Sequence, residues 1–101
     1  MGAVRSEDPA HGARFELARG SGPGVRYAVE VRAPGARWAT RAHLEGGGWR
    51  LEPWSAEPPG WVAARVRRFL SVLRARHAGE GAPAWPRKVT RWRPAPGGAG
   101  R

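Results

Sequence analysis

Residues 25–45 read Val25-Arg26-Tyr27-Ala28-Val29-Glu30-Val31-Arg32-Ala33-Pro34-Gly35-Ala36-Arg37-Trp38-Ala39-Thr40-Arg41-Ala42-His43-Leu44-Glu45. Val25, Tyr27, Val29 and Val31 alternate with Arg26, Ala28, Glu30 and Arg32, and beyond Pro34-Gly35 the residues Trp38, Thr40, Ala42 and Leu44 alternate with Arg37, Ala39, Arg41 and His43. A period of two with β-branched and aromatic side chains on one side is the mark of a half-buried strand. With Pro34-Gly35 as a two-residue turn, Val31 faces Trp38, Val29 faces Thr40 and Val25 faces Leu44. That pairing keeps the apolar set on one face, and a slip of one residue would turn it to water.

The same pattern extends in both directions. Phe15 and Leu17 alternate with Arg14 and Glu16 in the run 13–19, and Trp49 and Leu51 alternate with Arg50 and Glu52. Taking Gly46-Gly47 as the next turn sets Leu44 against Trp49 and Ala42 against Leu51. Four strands with short Gly-containing connections predict an antiparallel meander. After Pro58-Pro59-Gly60, the spacing of Val62, Val66, Phe69, Leu70 and Leu73 predicts one helix over roughly residues 58–78, with Gly79 as its left-handed stop. The expected fold class is therefore α+β: a four-stranded antiparallel meander with one C-terminal helix packed on one face (ββββα), in two layers. Small single-stranded-DNA-binding coactivators share that element order, an analogy of predicted topology without a shared sequence motif. Residues 1–12 are expected to be a flexible lead, 13–93 a single domain, and 94–101 a disordered Pro/Gly tail.

Composition narrows the chemistry. The 101 residues hold 15 Gly and 10 Pro, gathered in the lead, the turns and the tail, and no Cys, which excludes disulfides, thiol nucleophiles and Cys-ligated metal. Ile, Asn and Gln are also missing and Lys occurs once, the usage of a GC-rich, bacterial style of coding. Arg in place of Lys therefore carries no message by itself. Charge is more informative by position than in total. Residues 1–60 carry eight Arg against seven acids, whereas residues 61–101 carry nine Arg and one Lys against one acid, Glu80, so nearly all of the formal +10 lies on the helix and the segment after it.

That half supplies the candidate site: Arg65, Arg67, Arg68, Arg74 and Arg76 on the helix, then Trp85, Arg87, Lys88, Arg91, Trp92 and Arg93. Cations interleaved with indoles are the combination that holds phosphates while bases stack, so one expectation is a non-catalytic, backbone-directed nucleic-acid-binding module with a leaning to single strands. The alternative is an adaptor or immunity-type protein whose basic surface meets an acidic protein partner. Over 85–93 a second interpretation stands beside the stacking one, in which Trp85 and Trp92 close the open end of the core and Lys88 to Trp92 add a fifth strand. Trp38 and Trp49 fall on the inner face by alternation; Trp54 and Trp61 join Trp92 as candidates for an exposed aromatic surface. The sequence leaves the oligomeric state open, with an edge strand or the Trp54/Trp61 surface as the two places for pairing of copies.

Catalytic signals are missing from the sequence. His11, His43 and His77 are not at metal-ligand spacing, His43 and Glu45 share a strand face as no more than an exposed pair, and Gly20 to Gly24 lacks the following helix and Lys of a phosphate loop. No enzyme activity, cofactor or metal is expected. With no apolar run of spanning length and no signal-peptide core ahead of Glu7-Asp8, the expected location is cytoplasmic, with no membrane contact.

Overall fold

A computed structural model describes residues 12–96; the expected lead (1–12) and tail (94–101) lie outside that range except for Gly12 and Pro94 to Pro96. The alternating runs become strands β1 (Ala13–Arg19), β2 (Arg26–Ala33), β3 (Ala36–Glu45) and β4 (Gly48–Leu51), followed by helix α1 (Gly60–His77), a single 3-10 turn at Ala82–Ala84 and a fifth strand, β5 (Lys88–Arg93). All pairings are antiparallel and the sheet order is β4-β3-β2-β1-β5. The architecture is α+β with five strands, which corrects the four-stranded meander and makes the order ββββαβ. The topological analogy with the single-stranded-DNA-binding coactivators, drawn on ββββα, does not survive that change.

The registers of the first four strands match those expected from alternation. Val31 pairs with Trp38, Val29 with Thr40, Leu44 with Trp49 and Ala42 with Leu51, while the Leu44 N–H donates to the Val25 carbonyl at 2.9 Å. The β3–β4 turn has Gly46 at φ 56° and Gly47 at φ 86°. Two consecutive positive φ values suit the right-handed twist of the paired strands, and glycine adopts both without strain.

One face of the sheet carries the core. Phe15, Leu17, Tyr27, Val29, Val31 and Ala42 pack beneath Val62, Val66, Phe69, Leu70 and Leu73 of α1, all of them buried. The helix begins where the Pro59 carbonyl accepts from the Val62 and Ala63 N–H groups, and ends at Ala78 with Gly79 at φ 87° beyond it. The predicted start at residue 58 is two residues early because Pro58 and Pro59 stand outside the helix.

The connection from α1 back to β5 is pinned by a residue at a core position. Arg19 follows Phe15 and Leu17 on the inner face, and its Nη1 donates to the carbonyls of Trp85 at 2.6 Å, Ala82 at 3.0 Å and Pro83 at 3.3 Å. The Tyr27 hydroxyl donates to the Pro86 carbonyl at 2.6 Å. Trp85 is 2 % exposed, donates its indole N–H to the Glu80 carbonyl, and meets Trp49 edge-on with ring centroids 6.0 Å apart. It closes the open end of the core, which removes it from the candidate stacking residues.

Candidate functional site

Strand β5 sets the site. Its register places Val89, Arg91 and Arg93 opposite Leu17, Phe15 and Ala13 on the inner face, and Lys88, Thr90 and Trp92 opposite Ala18, Glu16 and Arg14 on the outer face. Val89 packs on the core. Arg91 and Arg93 instead line a groove of about 450 Å³ between β5 and the near flank of α1, across from Arg65, Arg68 and Arg76. Phe69, Val72 and Leu73 contribute its apolar lining, and Val72, at 48 % exposure, is the one exposed large hydrophobic side chain among the described residues. Arg68, Val72 and Arg76 lie at intervals of four residues, so they form a single row along the helix, stepping by about 6 Å.

The edge of β5 has an unusual hydrogen-bonding character. The Arg19 N–H donates to the Arg87 carbonyl at 2.8 Å. By the alternation of an antiparallel ladder, Val89, Arg91 and Arg93 then turn their backbone groups to β1, while Lys88, Thr90 and Trp92 turn theirs to the free edge. Two of those outward carbonyls are already occupied: Arg91 Nη1 donates to the Thr90 oxygen at 2.8 Å and Arg93 Nη1 to the Trp92 oxygen at 2.7 Å. The Arg93 guanidinium also lies over the Phe69 ring, 5.1 Å from its centroid. The edge is therefore rich in N–H and guanidinium donors, with two of its three outward carbonyls already accepting.

The remaining sequence-derived candidates lie elsewhere. Arg67 and Arg74 line a second depression of about 260 Å³ on the far flank of the helix, beside Trp49 and Leu51. Arg87 is exposed just before β5, outside the groove lining. Lys88 borders the groove, but its Nζ lies 3.5 Å from a Glu16 carboxylate oxygen. Trp92 is half-buried on the outer face, with the Arg14 guanidinium over its ring at 5.9 Å. The expected exposed aromatic surface is not formed: Trp54 and Trp61 are half-buried against the core, and Trp61 meets Phe15 edge-on at 6.1 Å.

The outer sheet face is basic in composition, and four of its six arginines on β1 to β4 pair with carboxylates, Arg26 and Arg41 making no ion pair among the described residues. Arg14 pairs with Glu16 at 3.0 Å, Arg37 and Arg32 with Glu30 at 3.3 and 3.8 Å, and Arg50 with Glu45 at 3.0 Å. His43 takes Glu52 across the sheet, Nε2 to Oε2 at 2.7 Å, in place of Glu45 on its own strand. That hydrogen bond holds the Glu52 carboxyl below its ordinary value of 4.5; burial opposes the shift, and the charges of Arg41, His43 and Arg50 add to it. By contrast, no carboxylate among the described residues comes within ion-pair distance of Arg65, Arg68, Arg76, Arg91 or Arg93. Nor do the described residues gather three His, Asp or Glu side chains able to hold a metal ion, and none of their helices is long and apolar enough to cross a membrane.

Comparisons of the chain with protein-family models, with curated proteins and with solved structures find no match. The capacity of the groove is set by its own chemistry. Five guanidinium groups without carboxylate partners among the described residues, on two facing walls, suit a ligand that carries several negative charges and presents acceptors. Sequence alone missed Arg19, Val72 and the donor-rich edge. The first had a signal, an Arg in phase with Phe15 and Leu17; the other two emerge only when β5 lies beside the helix.

Proposed function

We propose that the protein is a small non-catalytic module that binds nucleic acid through its phosphate backbone, along the groove between α1 and β5. The observation that carries this reading is the segregation of charge. On the outer face Arg14, Arg32, Arg37 and Arg50 pair with carboxylates, whereas Arg65, Arg68, Arg76, Arg91 and Arg93 converge on one groove without any among the described residues. Phosphate oxygens accept hydrogen bonds and donate none, which fits an edge rich in N–H and guanidinium donors. Neutralising several phosphates releases counterions, so binding should weaken steeply with salt and depend little on base sequence.

The test is a fluorescence-anisotropy titration of a labelled mixed-sequence oligonucleotide at two salt concentrations. Binding at low salt that falls by an order of magnitude or more at the higher one is expected; no binding at low salt ends the proposal. A second reading, an acidic protein partner, draws on Val72, whose exposed side chain sits among the cations as an apolar anchor. It predicts a defined complex that survives nuclease treatment, with no affinity for oligonucleotides.

A further inference from the structure

Resting on the nucleic-acid reading, we infer that the ligand is a single strand that crosses the β5 edge, with phosphates on the groove side and a base against Trp92 on the other. The alternation of β5 is what divides the two contacts. Arg91 and Arg93 project into the groove, while the intervening Trp92 projects to the opposite face of the sheet. A ligand that uses both must pass around the edge of one strand. Duplex DNA, with a persistence length of about 150 base pairs, does not fold around so small a radius, and it keeps its base faces stacked inside. An unpaired strand bends freely and exposes a flat face at every base.

The indole is placed for that contact. On the β1 side its neighbour is Arg14, whose guanidinium carbon lies over the ring, 5.9 Å from its centroid. On the other side the sheet ends, so no cross-strand residue among the described ones covers it. Between groove and indole runs the free edge, where Arg91 and Arg93 already fill the carbonyls of Thr90 and Trp92. A peptide strand adding to this edge would need those carbonyls for its own N–H groups; a phosphate backbone needs only the donors. The edge thus favours a polyanion over strand addition.

The experiment compares a single-stranded oligonucleotide with a duplex of the same length and salt, for the native protein and for Trp92→Ala, Trp92→Phe and Arg68→Glu/Arg91→Glu. The single strand is expected to bind at least tenfold more tightly than the duplex. Trp92→Ala should lose about tenfold in single-strand affinity, the scale of one stacked base, with an unchanged salt slope, and Trp92→Phe should retain most of it. Should the alanine variant fail to fold, photocrosslinking of a 5-iodouracil oligonucleotide to the native protein answers the same question, with the adduct expected at Trp92. Equal affinity for the duplex, or an adduct confined to other residues, overturns the single-strand inference while the groove stands, provided the double charge reversal still abolishes binding. Binding of neither oligonucleotide overturns the nucleic-acid reading itself, and equally tight binding of polyglutamate assigns the groove to acidic protein.

Discussion

At the scale of single residues, three side chains take roles their types do not announce. Arg19 occupies a core position and commits its guanidinium to three carbonyls of the segment that leads into β5. Truncating it leaves those carbonyls short of a charged donor, so Arg19→Ala should destabilise the protein by about 2 kcal/mol. Chemical denaturation measures this, and Arg19→Lys should recover only part, since all three bonds are made by Nη1 and the lysine nitrogen ends one atom short of that position. Trp85 and Trp92 look equivalent in the sequence, each beside cations, yet one is core and the other is not. Trp85→Ala is expected to cost about 3–5 kcal/mol through the cavity it opens. A loss below about 1 kcal/mol, the size of an ordinary point substitution, would contradict its place in the core. Glu52 gives the pH dependence its sign. Its folded value lies below the unfolded one, so its contribution is full above pH 4.5 and fades as pH falls through the lowered folded value. Denaturation midpoints taken across the acid range, from near neutrality to well below that value, should drop more in the native protein than in Glu52→Gln. Parallel curves would show the His43 hydrogen bond to be inconsequential.

At the scale of elements, what the sequence made legible was whatever repeats with a period set by burial. The strands from Ala13 to Leu51 and the helix stripe alternate or recur because one side of each packs on the core. Strand β5 lacks the apolar alternation of the other strands because its inward positions 91 and 93 are arginines. It lies at the sheet edge and borders the groove beside α1, so its period of two carries cations where a half-buried strand carries apolar residues. The groove depends on that placement, so the sequence names its arginines but not the cleft they line. The cations themselves were visible; their division between two flanks of α1, three on the groove and two beside β4, was visible only as helix spacing. Turn chemistry was read directly. Gly47 sits at φ 86°, so Gly47→Ala should cost about 1 kcal/mol, and Gly47→Asn less, since Asn tolerates the left-handed region. Thermal melts of the two variants check the order.

At the scale of the whole molecule, the sheet separates two electrostatic surfaces. Outside, carboxylates from β1, β2, β3 and the chain just past β4 meet basic side chains of neighbouring positions. On the helix side no acid among the described residues stands with the groove arginines, and the single acid of the second half, Glu80, is engaged by His77 at 2.8 Å. The groove thus concentrates positive charge without a carboxylate among the described residues, and five of the chain's arginines act from one place. The most direct measurement is the slope of log Kd against log salt for a single-stranded oligonucleotide, in the native protein, in Arg65→Glu/Arg68→Glu/Arg91→Glu, and in a control carrying the same number of reversals on the outer face, Arg32→Glu/Arg37→Glu/Arg50→Glu. If the groove binds the backbone, the groove variant loses nearly all binding, while the control keeps a native slope, with each phosphate contact contributing about 0.7 to it. Equal losses in the two variants would show that only net charge matters and would contradict a located site.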